Sequence, residues 1–204
     1  MILFTAIYKG KDRYLFMKTH NKLQSMVISA LLCAIGIIIP MFAPKIVLEP
    51  ASFTLASHVP IFIAMFISPS VAISVSLITG LGFLFAGFPL IIVLRALTHV
   101  SFASLGSFML KKNNHLLHSP VSTFLFGFLL AVVHALCEVI VVTLFYMGNN
   151  MSSAYYENGY LMSVIVLVGI GTIIHSMVDY GIALFVWKPV HKMITIPTNV
   201  NIAK

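Results

Sequence analysis

Charge is what this sequence has least of. Of its 204 residues, 12 are Lys or Arg and 5 are Asp or Glu, so 8% are charged while 60% are hydrophobic. A soluble domain uses roughly 25% charged residues to cover its surface. With a mean hydropathy of +1.05, this chain is instead an integral membrane protein. Cysteine is also scarce. Cys33 and Cys137 lie in apolar runs with no CxxC pair, which excludes a disulfide framework and a cysteine-based metal motif. There is no GxxxxGK[ST] and no cytoplasmic segment large enough for a nucleotide-binding domain, so ATP hydrolysis within this chain is excluded. No HExxH occurs either. No cofactor or metal is expected, and the reading is of a protein that is not an enzyme.

What remains is apolar sequence with few interruptions. The length leaves room for about six helical spans of roughly 20 residues. The first is expected from about Leu23 to Phe42, the second up to Ile67, and the third over Val71–Phe85 after the Ser68-Pro-Ser70 break. The fourth should cover Leu90–Leu110, the fifth Val121–Met147 and the sixth Leu161–Val186, with Trp187 and Lys188 as an anchor at the inner interface. The net charge of +7 does not indicate nucleic acid, because of where the charges stand. Lys9, Lys11, Arg13, Lys18 and Lys22 precede the first span, Lys111 and Lys112 follow the fourth, and Lys188 and Lys192 follow the last. The outer segment 148–160 has no Lys or Arg. This positive-inside pattern predicts an all-α bundle of six transmembrane helices with both termini cytoplasmic. Residues 1–20 form a basic cytoplasmic extension, of which 1–16 reads as a loose arm or an upstream addition. Residues 21–190 form the six-helix membrane domain, and 191–204 a cytoplasmic tail.

Inside the apolar runs stand a few groups that lipid does not tolerate. Arg95 and His99 lie in the fourth span, His134 and Glu138 in the fifth, His175 and Asp179 in the sixth. Each pair is spaced i, i+4 and so shares one helix face. A guanidinium near the bilayer midplane costs about 3 kcal/mol on insertion scales, so Arg95 must face protein or water and have a charged partner. At 1.5 Å per residue, Arg95 lies roughly 9 Å and His99 roughly 15 Å below the outer end of their helix, with Glu138 at a similar depth. Glu49, His58, Arg95 and Glu138 are expected to line a cavity open to the outside. Ser52, Thr54, Ser57 and His58 supply polar groups at its mouth. An Arg fork matches a carboxylate or phosphate, and a neighbouring histidine can meet a ring nitrogen, so small, flat, anionic ligands fit best. The competing reading is that Arg95 and Glu138 only hold the bundle together. His175 and Asp179 read as a structural pair. A divalent ion held among the histidines and carboxylates is disfavoured by the lack of a metal motif and by Arg95.

Rows of small residues mark helix faces that can approach closely: Ser25, Ser29 and Cys33; Ala30 and Ala34; Ala72, Ser76 and Gly80. By spacing alone the rows of the first helix are expected to pack the protein's own bundle. The Ala30-Leu-Leu-Cys-Ala34 row, in a chain of this span plan, resembles the substrate-binding S components of energy-coupling factor (ECF) vitamin transporters. Their general motif is AxxxA in the first helix. The segment Pro50–Pro69 together with Val93-Leu-Arg-Ala-Leu-Thr-His-Val100 resembles the niacin-type branch. The resemblance covers residues 22–190. It implies capture of a small-molecule vitamin at the outer face, with loop 43–52 as a lid. It also implies docking through Ala30 and Ala34 on a transmembrane T component that carries two ABC-type ATPases. Membrane lipid is the other expected partner, and nucleic acid is not one. Two rival classes remain: a lone transporter coupling protons through its histidine–carboxylate pairs, and an intramembrane metal hydrolase. Within the family, a pyridoxine-like or pterin-like cargo is the alternative to niacin.

Overall fold

The computed structural model describes residues 2–48, 51–193 and 198, with side chains for 21–46, 53–192 and 198. Helix α1 spans Ile2–Phe42, and its membrane-length apolar part is Asn21–Phe42. A hairpin follows, β1 (Lys45–Leu48) against β2 (Ala51–Thr54), antiparallel with Ile46 opposite Phe53. Then come α2 (Val59–Ile67), α3 (Pro69–Phe85), α4 (Leu90–Lys112), α5 (Pro120–Met147) and a short α6 (Ser153–Glu157). The wide-turned π-helical segment Leu161–Ile170 runs directly into α7 (Gly171–Met193). Among the described residues, four helical stretches are long and apolar enough to cross a membrane, and α3 is a shorter apolar helix.

Local sequence sets the helix limits. Ser68 is extended (φ −169°) and its Oγ accepts the Val71 N–H, so it ends α2 and caps α3 in one residue, with Pro69 in the first turn. Ser119 and Pro120 start α5 in the same way. Lys111 and Lys112 stand in the last turn of α4, where cations suit the carbonyl end of the helix.

The core forms around α2, which contacts α1, α3, α4 and α7. Eight of its nine residues are buried, and Phe62 and Phe66 pack on Phe102, Tyr180 and Trp187. Trp187 is fully buried, so it is a core residue and not the interfacial anchor its position beside Lys188 suggests. Its indole stacks on His191 and lies against Phe66.

The small-residue rows separate by face. Ser25 and Ser29 are half-buried and Cys33 is buried against the bundle, whereas Ala30 and Ala34 are exposed among Met26, Val27, Leu31, Ile35 and Ile38. The alanine row therefore does not pack the protein's own bundle, in contrast to the expectation from spacing. The third row behaves as expected: Ala72 and Ser76 are fully buried, and a Cβ added at Gly80 would meet Leu97 Cδ2 at 2.7 Å and the Leu97 backbone N at 3.3 Å. Overpacking so close a helix contact costs about 1–3 kcal/mol. Gly80→Val should lower the denaturation midpoint of the detergent-purified protein accordingly. Gly181→Val, where added carbon meets nothing within 4 Å, should leave it unchanged.

Candidate functional site

Because α2 has nine residues it rises only roughly 14 Å, about half of a hydrocarbon core. Its first turn therefore starts inside the protein, and the chain from the hairpin reaches inward to meet it. His58 is 6% exposed and does not stand at an outer mouth. This depth brings it to the pair on α7, which the sequence set apart as purely structural.

Asp179 ties the two together. Its Oδ1 accepts the Ala56 N–H at 2.7 Å, and its Oδ2 accepts the His58 N–H at 2.9 Å. The same Oδ2 lies 2.9 Å from His58 Nδ1. An ionised carboxylate can only accept, so Nδ1 is the donor in this contact. Ala56 has φ +65°, a left-handed conformation that costs an alanine roughly 1–2 kcal/mol. The charged hydrogen bond to its N–H offsets that strain. Ser57 Oγ lies 3.1 Å from His175 Nε2, which is itself 3.5 Å from Asp179 Oδ2.

A second knot lies between α4, α5 and α7. Glu138 Oε2 accepts from Arg95 Nη2 at 2.8 Å and from Thr172 Oγ1 at 2.7 Å. The other oxygen, Oε1, has His134 Nε2 at 3.5 Å and His99 Nε2 at 3.8 Å. Neither histidine nitrogen makes a hydrogen bond there. Imidazoles bridge the two knots: the His58 ring centre is 4.7 Å from those of His99 and His134 and 4.9 Å from that of His175.

Between the knots and the hairpin lies a cavity of about 130 Å³. For scale, an engineered protein cavity of roughly 150 Å³ binds benzene. There is room for one six-membered ring. Arg95, His99, Glu138, Thr172 and His175 are on its polar wall, Phe83, Phe88 and Ile92 on its apolar wall, and Lys45, Phe53 and Thr54 of the hairpin on the remaining side. Phe53 seats on Gly171, where an added Cβ would meet its ring at 2.6 Å. Several buried polar atoms of the wall have no hydrogen-bond partner among the described residues: Arg95 Nε, His99 Nε2 and Thr79 Oγ1. Buried polar atoms are seldom left unpaired.

Of the residues singled out in the sequence, His58, Arg95, His99 and Glu138 meet at this cavity. His134 is fully buried behind it, and Glu49 lies outside the described residues. The sequence reading missed Thr172 and Thr79 as wall residues and placed His175 too far away. The threonines carry no spacing signal; the i, i+4 pair of His175 and Asp179 did.

A bundle of apolar helices around an internal cavity of this size, lined with charge and hydroxyls, belongs to the class of multi-pass membrane transporters. Across 179 residues, 87% of this chain and 79% of the relative, the sequence is 39% identical to the niacin transporter NiaX of Lactococcus lactis subsp. cremoris (strain MG1363). The chain belongs to that family, the niacin-type S components of ECF transporters, as a multi-pass protein of the bacterial plasma membrane and not an enzyme. No protein-family profile matches the chain. No solved structure matches it.

Asp179→Ala removes the acceptor of two backbone N–H groups and of His58 at once. Leaving a buried donor without its acceptor costs about 1–3 kcal/mol. The variant should unfold in detergent at a clearly lower denaturant concentration. Asp179→Asn, which keeps one acceptor oxygen, should lose less.

Proposed function

We propose that the protein captures nicotinate, or a closely similar aromatic carboxylate, in this cavity, as the substrate-binding subunit of an ATP-driven uptake system. The observation that carries the reading is the unpartnered Nε–H of Arg95. Its Nη2 is fixed by Glu138 while its buried Nε has no partner and the residue lines a single-ring cavity. A guanidinium so held has donor capacity left over, and a carboxylate is the group that Arg pairs with best. In this reading Arg95 joins Glu138 and ligand at once, so the structural and binding roles of the pair coincide. His99 faces the ring nitrogen, Phe83 and Phe88 cover the ring faces, and His58 and His134 support the histidine wall. The hairpin acts as the lid. The name of the NiaX relative supports niacin over pyridoxine-like or pterin-like cargo.

The finer topology also belongs to this proposal: six crossings with both termini cytoplasmic, α2 and α3 together forming an inner hairpin. The lysines after α4 and α7 support it, since both ends then face the cytoplasm. The exposed Ala30–Ala34 face of α1 is the docking face for a T component with two ABC-type ATPases. Its support is a row of small side chains on a lipid-facing surface, where another helix can approach closely. A lone proton-coupled transporter would need no such face.

Calorimetric titration of the detergent-purified protein tests the site. Nicotinate should bind tightly, nicotinamide roughly 10–100-fold more weakly because it lacks the charge, and Arg95→Ala should lose nicotinate by a similar factor. Tight binding that survives Arg95→Ala sinks the assignment. The docking face is tested apart from it: Ala30→Trp with Ala34→Trp should keep nicotinate binding but lose co-purification with the T component and ATP-dependent uptake. Unchanged uptake would show that another face docks.

A further inference from the structure

The charges at the cavity do not balance. Among the described residues Arg95 stands against two buried carboxylates, Glu138 and Asp179. Lys45, the other cation of the lining, is exposed at the hairpin. Tyr155 and the four imidazoles of His58, His99, His134 and His175 add nothing while neutral. One negative charge is left over, and an arriving carboxylate makes two. An uncompensated ion taken out of water costs several kcal/mol. A divalent cation cancels both charges in one step.

The residues for such a cation are in place. One ligand atom from each of His58, His99 and His134 lies within 4.8 Å of the others, and all three residues are buried. The Nε2 atoms of His99 and His134 have no hydrogen-bond partner. Two of the three rings have an outer support: Asp179 holds His58 Nδ1, and Ser176 Oγ lies 3.4 Å from His134 Nδ1. A carboxylate on the far nitrogen of a ligating histidine orients the ring and raises its basicity. Three imidazoles with a fourth position open to a small molecule is the pattern of non-structural zinc sites. Arg95 does not oppose the ion, because Glu138 already neutralises it at 2.8 Å.

We propose that His58, His99 and His134 bind one divalent transition-metal ion of the imidazole-favouring kind, zinc or nickel, on the floor of the cavity. The ring nitrogen of the captured ligand takes its open position. The second half rests on the capture of an aromatic carboxylate proposed above; the first does not. The ion and Arg95 then divide the ligand between them, nitrogen to metal and carboxylate to guanidinium. This arrangement selects a pyridine-type ring over a benzene ring of the same size.

The test uses full-length, tag-free protein in detergent. His115 and His118 are both changed to Ala, because that exposed pair, with ring centres 4.6 Å apart, would bind metal adventitiously. After chelation and desalting, zinc is titrated alone and the retained metal counted by mass spectrometry. One zinc per chain is expected, with at least a tenfold loss of affinity in His99→Ala and in His99→Gln. Both variants should melt with the parent in chelator, which separates lost ligation from lost folding. Cobalt substituted for zinc should show the intense visible absorption of a low-coordinate site and shift on adding nicotinate but not benzoate. No retained zinc, or retention unchanged by both His99 variants, overturns the proposal. So does equal nicotinate affinity in chelator with proton uptake on binding, because protonated imidazoles would then balance the charge. If zinc binds one-to-one through His99 while nicotinate binds in neither state, the metal site stands and the nicotinate reading falls.

Discussion

A carboxylate in the interior of a membrane protein must have its charge met by named neighbours, because hydrocarbon supplies none. Among the described residues there are two such groups, Glu138 and Asp179, and the rest of the structure arranges itself around them. Glu138 draws Arg95 from α4 and Thr172 from α7 onto a single oxygen. Asp179 draws in the backbone of Ala56 and His58 from the segment between hairpin and α2. Each carboxylate therefore joins elements far apart in sequence. Such interior ion pairs are sensitive to the loss of a single member, which leaves a buried charge alone.

The shortness of α2 follows from the same constraint. A full-length second span would carry His58 to the outer surface and away from Asp179. Ending α2 at Ser68 and starting it at Val59 leaves its first turn buried within the bundle, next to the segment that follows the hairpin. The cavity is the space left between that turn, the Arg95 knot and the apolar wall of α3 and α4. It is polar on one side and apolar on the other, which suits the proposed aromatic carboxylate. Asp179 holds the backbone of Ala56 and His58, the segment that joins the hairpin to α2, so the end of the hairpin and the His58 ring are fixed by one carboxylate. In the proposed role, this links lid position to the state of the histidine wall.

Helix α1 shows how a membrane surface is divided. Its serine–cysteine row packs inward, while its alanine row is turned out among large apolar side chains. In lipid an apolar surface alone gives no reason for helices to associate; close approach and hydrogen bonds do. A strip of small residues on an otherwise bulky face is thus a groove for a partner helix, consistent with the proposed docking on a T component. Trp187 illustrates the converse. A tryptophan at the end of a span belongs at the interface by statistics, yet here the core took it, because Phe66 and His191 offered a stacked apolar slot.

The sequence by itself determined the class, most helix limits and the membership of the polar interior. Hydropathy and charge are properties summed over stretches of chain, so lipid selects for them wherever the stretch lies. Ser68-Pro69 and Ser119-Pro120 fixed helix ends by local hydrogen bonding alone. The pairs Arg95–His99, His134–Glu138 and His175–Asp179 were legible because i, i+4 spacing puts both groups on one helix face. Tertiary structure decided how those faces met. It joined His58 to Asp179 across 121 residues, brought His175 to the cavity, turned Ala30 and Ala34 outward and buried Trp187. Spacing within a helix fixes which residues share a face, but depth and rotation depend on the neighbours that a helix packs against, and those come from elsewhere in the chain.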